Sequence, residues 1–204
     1  ILKAMNRTAT KEGIESLIEK IRKEIPDAVI RTSLIVGFPG ETEKEFDELL
    51  KFVKDIKFDR LGVFKYSREE STPAYKMKKQ IPKIVKETRL RKIMSAQKRI
   101  SLAKNKLLID SVVKVLVEGL SDETNLLLKG RAVSQAPDID GITYLCRDLS
   151  AISDGIANAG DIVDMRITEV GEYDIVGEIV ANHCAEKESI LEQTCGGFVA
   201  QKIW

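Results

Sequence analysis

The stretch "IVGFPGET", Ile35 to Thr42, sets two glycines and a proline between an apolar, β-branched run and an acidic, periodic one. A strand that turns through Gly37 and Gly40 into a helix leaves backbone N–H groups and a helix N-terminus at the strand's carboxyl end. That is where α/β folds bind ligands. The glycines admit a flat or anionic ligand close to the main chain, and Pro39 fixes the turn. The pattern is neither a Walker loop, since no Lys-Ser/Thr follows, nor G-x-G-x-x-G. On these residues alone a ligand site and a plain strand-to-helix turn both stand. The second candidate is "VFKYS", where Phe64 and Tyr66 share one face of a strand and Val63 and Lys65 the other. An aromatic strand end beside a glycine turn suits an adenine, and it suits core packing equally.

Other reactive side chains point to less. Cys146, Cys184 and Cys195 fit neither paired CxxC metal ligands nor a dense disulfide framework and read as ordinary thiols. His183, the only histidine, has no carboxylate at a spacing that would make it a general base. Tyr144, Tyr173 and Phe198 read as core or interface aromatics before stacking platforms.

The elements that must position these residues alternate. Thr10 caps a helix whose Ile14, Leu17, Ile18 and Ile21 recur at helical spacing up to Pro26. "DAVIRTSLIV" reads as a buried strand. Thr42 and Glu45 form a capping box for a helix facing inward through Phe46, Leu49, Leu50 and Val53, and "RLGVFKYS" is a second strand. This order predicts a parallel sheet with crossover helices. Two strands cannot close a barrel, so the segment is expected to be the end of a larger α/β domain and the chain a fragment. Pro82 opens a long helix expected to reach about Leu108, with Leu90, Ile93, Met94, Gln97, Ile100, Lys104 and Leu107 along one side. Beyond Asp110, "SVVKVLVEG", "TNLLLKGRA", "GITYLC", "GDIVDMRITEV" and "YDIVGEIV" predict a small antiparallel five-stranded OB-like barrel. The stretch from Ala181 shows no period and reads as an unassigned tail.

The 204 residues, 43% hydrophobic and 32% charged, have the composition of a folded protein with one or two domains rather than a disordered one. No apolar run is long enough for a membrane span or a secretory signal, which points to the cytoplasm. The net charge of +1 conceals an asymmetry. Residues 76–106 hold twelve Lys or Arg and one acid, Glu87, whereas residues 110–178 hold five Lys or Arg and fourteen acids. The basic stripe reads as a solvated helix face or as a nucleic-acid or ribosome contact. The acidic barrel reads as a surface that steers a basic protein, or as turn acids such as Asp122, Glu123, Asp138, Asp140, Asp148 and Asp161 that only solubilise.

Several separated motifs carry a family resemblance in a fixed order: "LKAMNR", "IPDAVIRTSLIVGFPGET", "FDRLGVFKYSREESTPA", "APDIDGITYL" and "EYDIVGEIV". Together they resemble the radical SAM methylthiotransferases. Within that family they resemble the RimO branch, which modifies an aspartate of a small-subunit ribosomal protein, more than the MiaB branch, which modifies tRNA. The resemblance implies the carboxyl-terminal portion of a radical SAM TIM-like barrel over residues 1–75, a basic linker helix over 76–109, a TRAM barrel over 110–181 and a tail over 182–204. It further implies an S-adenosylmethionine pocket. Ile35 would pack on adenine, Gly37 would open the approach, Phe38 and Pro39 would complete the turn, and Phe64, Lys65 and Tyr66 would close around the base; Arg31, at the strand start, would pair with a carboxylate. The family's [4Fe-4S] clusters would have no ligands here, because CxxxCxxC is absent. No catalytic residue and no metal ligand is therefore assigned. The complete enzyme would cleave the cofactor reductively, abstract a hydrogen from the β-carbon of an aspartate in small-subunit ribosomal protein twelve and install a methylthio group there. The isolated chain is expected to be inactive. The expected partners are that protein or the 30S ribosome, with RNA reached through the basic helix. A tRNA methylthiotransferase and a non-catalytic ribosome- or RNA-binding module are the alternatives.

Overall fold

The computed structural model describes residues 1–124, 126–146 and 157–182, in two compact units that divide between Lys104 and Asn105. Cys184, Cys195, His183, Phe198, Asp148 and the tail beyond Asn182 lie outside the described residues, whereas Ala181 and Asn182, read from the sequence as tail, belong to a strand.

The first unit runs α1 (Lys11–Glu24), β1 (Arg31–Val36), α2 (Glu43–Ile56), β2 (Arg60–Lys65), a 3-10 turn at Pro73–Lys76 and α3 (Lys83–Lys106). β1 and β2 pair in parallel, Arg31 beside Arg60 through Val36 beside Lys65. One face of this pair is closed. Leu34, Val36, Leu61 and Val63 pack with Phe46 and Val53 of α2 and with Leu90, Ile93 and Ile100 of α3. The α1 contribution is narrower than its periodicity predicts. Ile18, flanked by Ile14, meets Phe52, Ile56 and Phe58, while Leu17 stays exposed because it lies one residue, or about 100°, off that line. Arg22 of α1 donates to the carbonyls of Ile56 (2.5 Å) and Lys57 (3.0 Å), satisfying the end of α2.

Three boundaries differ from the sequence reading. Residues 27–30 are not strand, and the Ile30 N–H donates to Asp59 Oδ2 at 2.9 Å instead of to a neighbouring strand. Pro82 precedes α3, its carbonyl accepting from Val85 and Lys86. At the other end α3 stops at Lys106, and Leu107 is exposed. The inner stripe of α3 is unusually polar. Gln97 is buried and donates to Phe58 O at 2.9 Å and to Ser101 Oγ at 3.2 Å, while Lys104 is ion-paired with Asp59.

The second unit is a closed barrel ordered β3-β4-β5-β7-β6, built from β3 (Val112–Leu120), β4 (Leu127–Ala132), β5 (Thr143–Cys146), β6 (Ile162–Val170) and β7 (Ile175–Asn182). All five expected strands are present. One pairing departs from the antiparallel expectation: β7 lies between β5 and β6, antiparallel to β6 but parallel to β5. Alternating residues Val115, Val117, Leu128, Leu145, Val163, Met165, Ile167, Ile175 and Ile179 fill the interior. Gln135 ties the 133–142 loop to the wall, accepting from Ala132 N (2.8 Å) and Thr143 Oγ1 (2.6 Å) and donating to Gly141 O (2.7 Å).

Gly177 sits where β7 crosses β6 so closely that a Cβ would strike the Arg166 carbonyl and approach Met165 Cγ to 2.8 Å. Gly177→Ala is therefore expected to destabilise the barrel by about 1–3 kcal/mol, read as a lower urea midpoint.

Candidate functional site

The helix-covered face of the β1–β2 pair leaves the other face open. Ile35 and Phe64 are register partners there, 44% and 59% exposed, with Ser33 and Gly62 behind them. The result is a shallow apolar shelf at the carboxyl end of two parallel strands, floored by a glycine that adds no bulk. Val63 is drawn under the helices, as the period of two requires. Tyr66 lies beyond the strand end and leaves the shelf. Its ring meets Phe38 edge-on at 5.3 Å, and its hydroxyl is buried with no hydrogen-bond partner among the described residues. Phe38 and Pro39 are buried beneath the turn. Lys65 points to Glu87 at 3.4 Å. Arg31 is at the opposite end of β1, beside Arg60 and some 16 Å of strand away. The structure thus brings Ile35 together with Phe64, and Phe38 with Tyr66, and leaves Arg31 apart from both pairs.

The turn is held from outside by residues the motif reading passed over. Glu41 is buried; its Oε2 accepts the Gly37 N–H at 2.8 Å, and its Oε1 accepts from Arg89 Nη1 of α3 at 2.6 Å. Arg89 Nη1 also donates to the Glu41 carbonyl, and Nη2 donates to Glu43 at 2.9 Å. Gly37 has φ +74, and a Cβ on it would collide with Lys86 Cγ. In this structure the space above Gly37 is filled by α3 rather than left open. Lys86 lies over the Tyr66 ring at 4.9 Å and donates to Tyr66 O at 2.8 Å, and its burial pushes its pKa below the ordinary lysine value. The two turns are therefore fastened to one helix by Lys86 and Arg89. A signal for Arg89 existed in the sequence. It stands four residues before Ile93 and eight before Gln97, on the inward stripe, where a cation needs a buried partner.

Thr42 caps α2 with its Oγ1 accepting from Glu45 N (3.3 Å), and Glu45 Oε2 accepts the Thr42 N–H (2.7 Å). That backbone hydrogen bond holds the Glu45 carboxyl below the ordinary glutamate value. Around the barrel, acids are largely engaged locally. Asp122 pairs with Lys129 (2.7 Å), Glu118 with Arg131 (2.9 Å) and Asp164 with Lys114 (3.2 Å). Asp140, Asp161 and Asp174 accept backbone N–H groups at turns. Among the described residues no cluster of three His, Cys, Asp or Glu is arranged to hold a metal.

Residues 1–53 match the radical SAM superfamily, and residues 109–180 match the TRAM domain. Over 181 residues, 89% of this chain, it is 55% identical to the ribosomal protein uS12 methylthiotransferase RimO of Geobacter sulfurreducens, covering 39% of that protein. The chain is RimO-like. Similar relatives bearing the same name come from Geotalea uraniireducens, 52% identical over 88% of this chain and 39% of the relative, and from Bdellovibrio bacteriovorus, 48% identical over 90% and 38%. The chain thus spans about two fifths of the length of these RimO relatives. The tRNA-modifying and non-catalytic alternatives are not favoured by these matches.

Three outcomes are expected. Replacing Arg89 by Met strands a buried carboxylate and should cost about 3–5 kcal/mol, much of it recovered in the Glu41→Gln/Arg89→Met double variant, as read in a denaturant cycle. Glu45 has a lowered folded-state pKa, so its stabilisation is present above the unfolded value and lost as pH falls through the folded one. Glu45→Gln should therefore be less stable than the parent at neutral pH, with the deficit closing in acid, and Thr42→Ala should cost about 1 kcal/mol.

Proposed function

We propose that this chain supplies cofactor-facing strands and the TRAM barrel of a radical SAM methylthiotransferase acting on the β-carbon of an aspartate in small-subunit ribosomal protein uS12. The observation that carries this reading is the identity to RimO proteins over nearly nine tenths of the chain, with both domain matches in the expected order.

The residues present fit one part of the cofactor. An exposed aliphatic and aromatic pair with a glycine beneath it suits the flat purine of S-adenosylmethionine, so Ile35 and Phe64 would flank the adenine. Gly37, Phe38, Pro39, Lys65 and Tyr66 lie at the rim, with buried Phe38 and half-buried Tyr66 as support. Arg31 takes no part, being at the far end of its strand. The residues do not fit the iron–sulfur cluster, since CxxxCxxC is absent and no described cluster of ligands exists. Bound at such a cluster, the cofactor supplies the radical chemistry that activates the target carbon. The work of this chain is to hold and orient the adenosyl end and to keep the strand ends in register through α3.

Partners follow from the same reading. The relatives are named for a ribosomal protein substrate, and TRAM domains in general bind RNA, so the partner is uS12 alone or within the 30S particle, in the cytoplasm. Solvent-facing cations of α3 provide an RNA contact. The locally paired acids of the barrel weaken the steering argument that net charge suggests.

The test is mass spectrometry of uS12 and of tRNA from cells complemented with the complete gene. A methylthio group on the uS12 aspartate is expected; its appearance on tRNA alone would overturn the reading. In the complete enzyme, Phe64→Ala should raise the KM for S-adenosylmethionine roughly tenfold, with little change for uS12.

A further inference from the structure

Two groups of cations on α3 face different surroundings. Lys86, Arg89 and Lys104 turn inward and are spent on the Tyr66 carbonyl, Glu41 and Asp59. A second set, Arg91, Lys92 and Arg99, faces outward and, with Lys54 of α2, lines an open groove of about 400 Å³. Leu50 forms its apolar floor, and Thr88 and Ser95 place two hydroxyls among the cations. No acid lines the groove. At its edge Glu43 stands 3.8 Å from Lys92, but that carboxylate is already held by Arg89 at 2.9 Å. Arg91 donates at 3.4 Å to the carbonyl of Glu87 in its own helix.

The spacing along the helix is regular. Arg91, Ser95 and Arg99 follow at i, i+4 and i+8, and Thr88 and Lys92 form the adjoining i, i+4 row. At 1.5 Å per residue the two arginines lie about 12 Å apart along the axis. Over that length a nucleic-acid strand presents roughly three phosphates. Guanidinium groups match phosphate oxygens two at a time; the Ser95 hydroxyl lies beside them, whereas Thr88 Oγ1 already donates to the Ile84 carbonyl at 2.9 Å.

We infer that the α2–α3 groove binds the phosphodiester backbone of an RNA strand. This rests on the RNA contact named in the reading above, which it confines to one face and to the backbone rather than the bases. It uses none of the residues proposed for the adenosyl shelf, so either can fail alone.

The experiment measures binding of the 204-residue chain to a short, fluorescein-labelled single-stranded RNA of mixed sequence, by anisotropy across a salt series. The parent chain is compared with Arg91→Gln/Arg99→Gln and with Lys20→Gln/Lys23→Gln, an equal charge change on exposed α1 positions. The groove variant should weaken binding and lower the magnitude of the log K against log salt slope by about 1.4, two phosphate contacts at about 0.7 each. The α1 variant should leave both close to the parent. Equal losses in the two variants would show diffuse attraction and overturn the inference, as would an acidic polypeptide competing as well as RNA. Unchanged far-ultraviolet circular dichroism keeps a folding defect apart from a binding one. Failure here with uS12 still methylthiolated sinks the groove alone; binding as expected without uS12 modification sinks the enzymatic reading alone.

Discussion

The buried pair of Glu41 and Arg89 is the constraint on which the first unit turns. Such a pair gains little stability over an apolar substitute, because desolvating two charges offsets most of their attraction. What it supplies is position. One carboxylate oxygen takes the Gly37 N–H and the other takes a guanidinium that also reaches the Glu41 carbonyl and Glu43. The glycine turn, the start of α2 and the middle of α3 are thereby held in one arrangement. Lys86, filling the space over Gly37 and bonding the end of β2, extends the same clamp to the second strand. The exposed Ile35–Phe64 shelf keeps its shape because everything behind it is fixed.

Charge in this chain is settled locally more than its totals suggest. The excess of cations in residues 76–106 shrinks once those facing β2, Glu41 and Asp59 are counted as structural, and three of those left, Arg91, Lys92 and Arg99, line one groove beside α2. In the barrel, carboxylates at turns satisfy backbone donors or neighbouring lysines and arginines. Summed charge over a segment therefore predicts partners poorly here. The arrangement of the charges left over predicts them better.

Much of the architecture was legible from periodicity and punctuation. The capping box at Thr42 and Glu45 and all five barrel strands stand where the pattern puts them, and strand alternation set Val63 and Phe64 on opposite faces, of which the helices cover the Val63 side. The misses have physical causes. Leu17 satisfies a helical repeat yet finds no surface to cover, since α1 docks by a narrow stripe. The parallel β5–β7 pairing depends on which strands become neighbours in space, and no local pattern encodes that. Phe64 and Tyr66 share a parity in the sequence, but the strand ends between them and Tyr66 swings to Phe38. Glu41 and Arg89 lie 48 residues apart, and a pairing at that separation is written only in the inward position of Arg89.

The placement of β7 also bears on synthesis. Because the last described strand fits between β5 and β6, the barrel cannot close while the chain is still being made through β6. Until then β5 and β6 each expose an unpaired edge, and the apolar wall formed by Leu145 and Met165 lacks Ile175 and Ile179. On a translating ribosome this unit therefore waits, open-edged, for its keystone strand, whereas the β1–α2–β2 segment joins neighbours adjacent in the sequence and has no such interval.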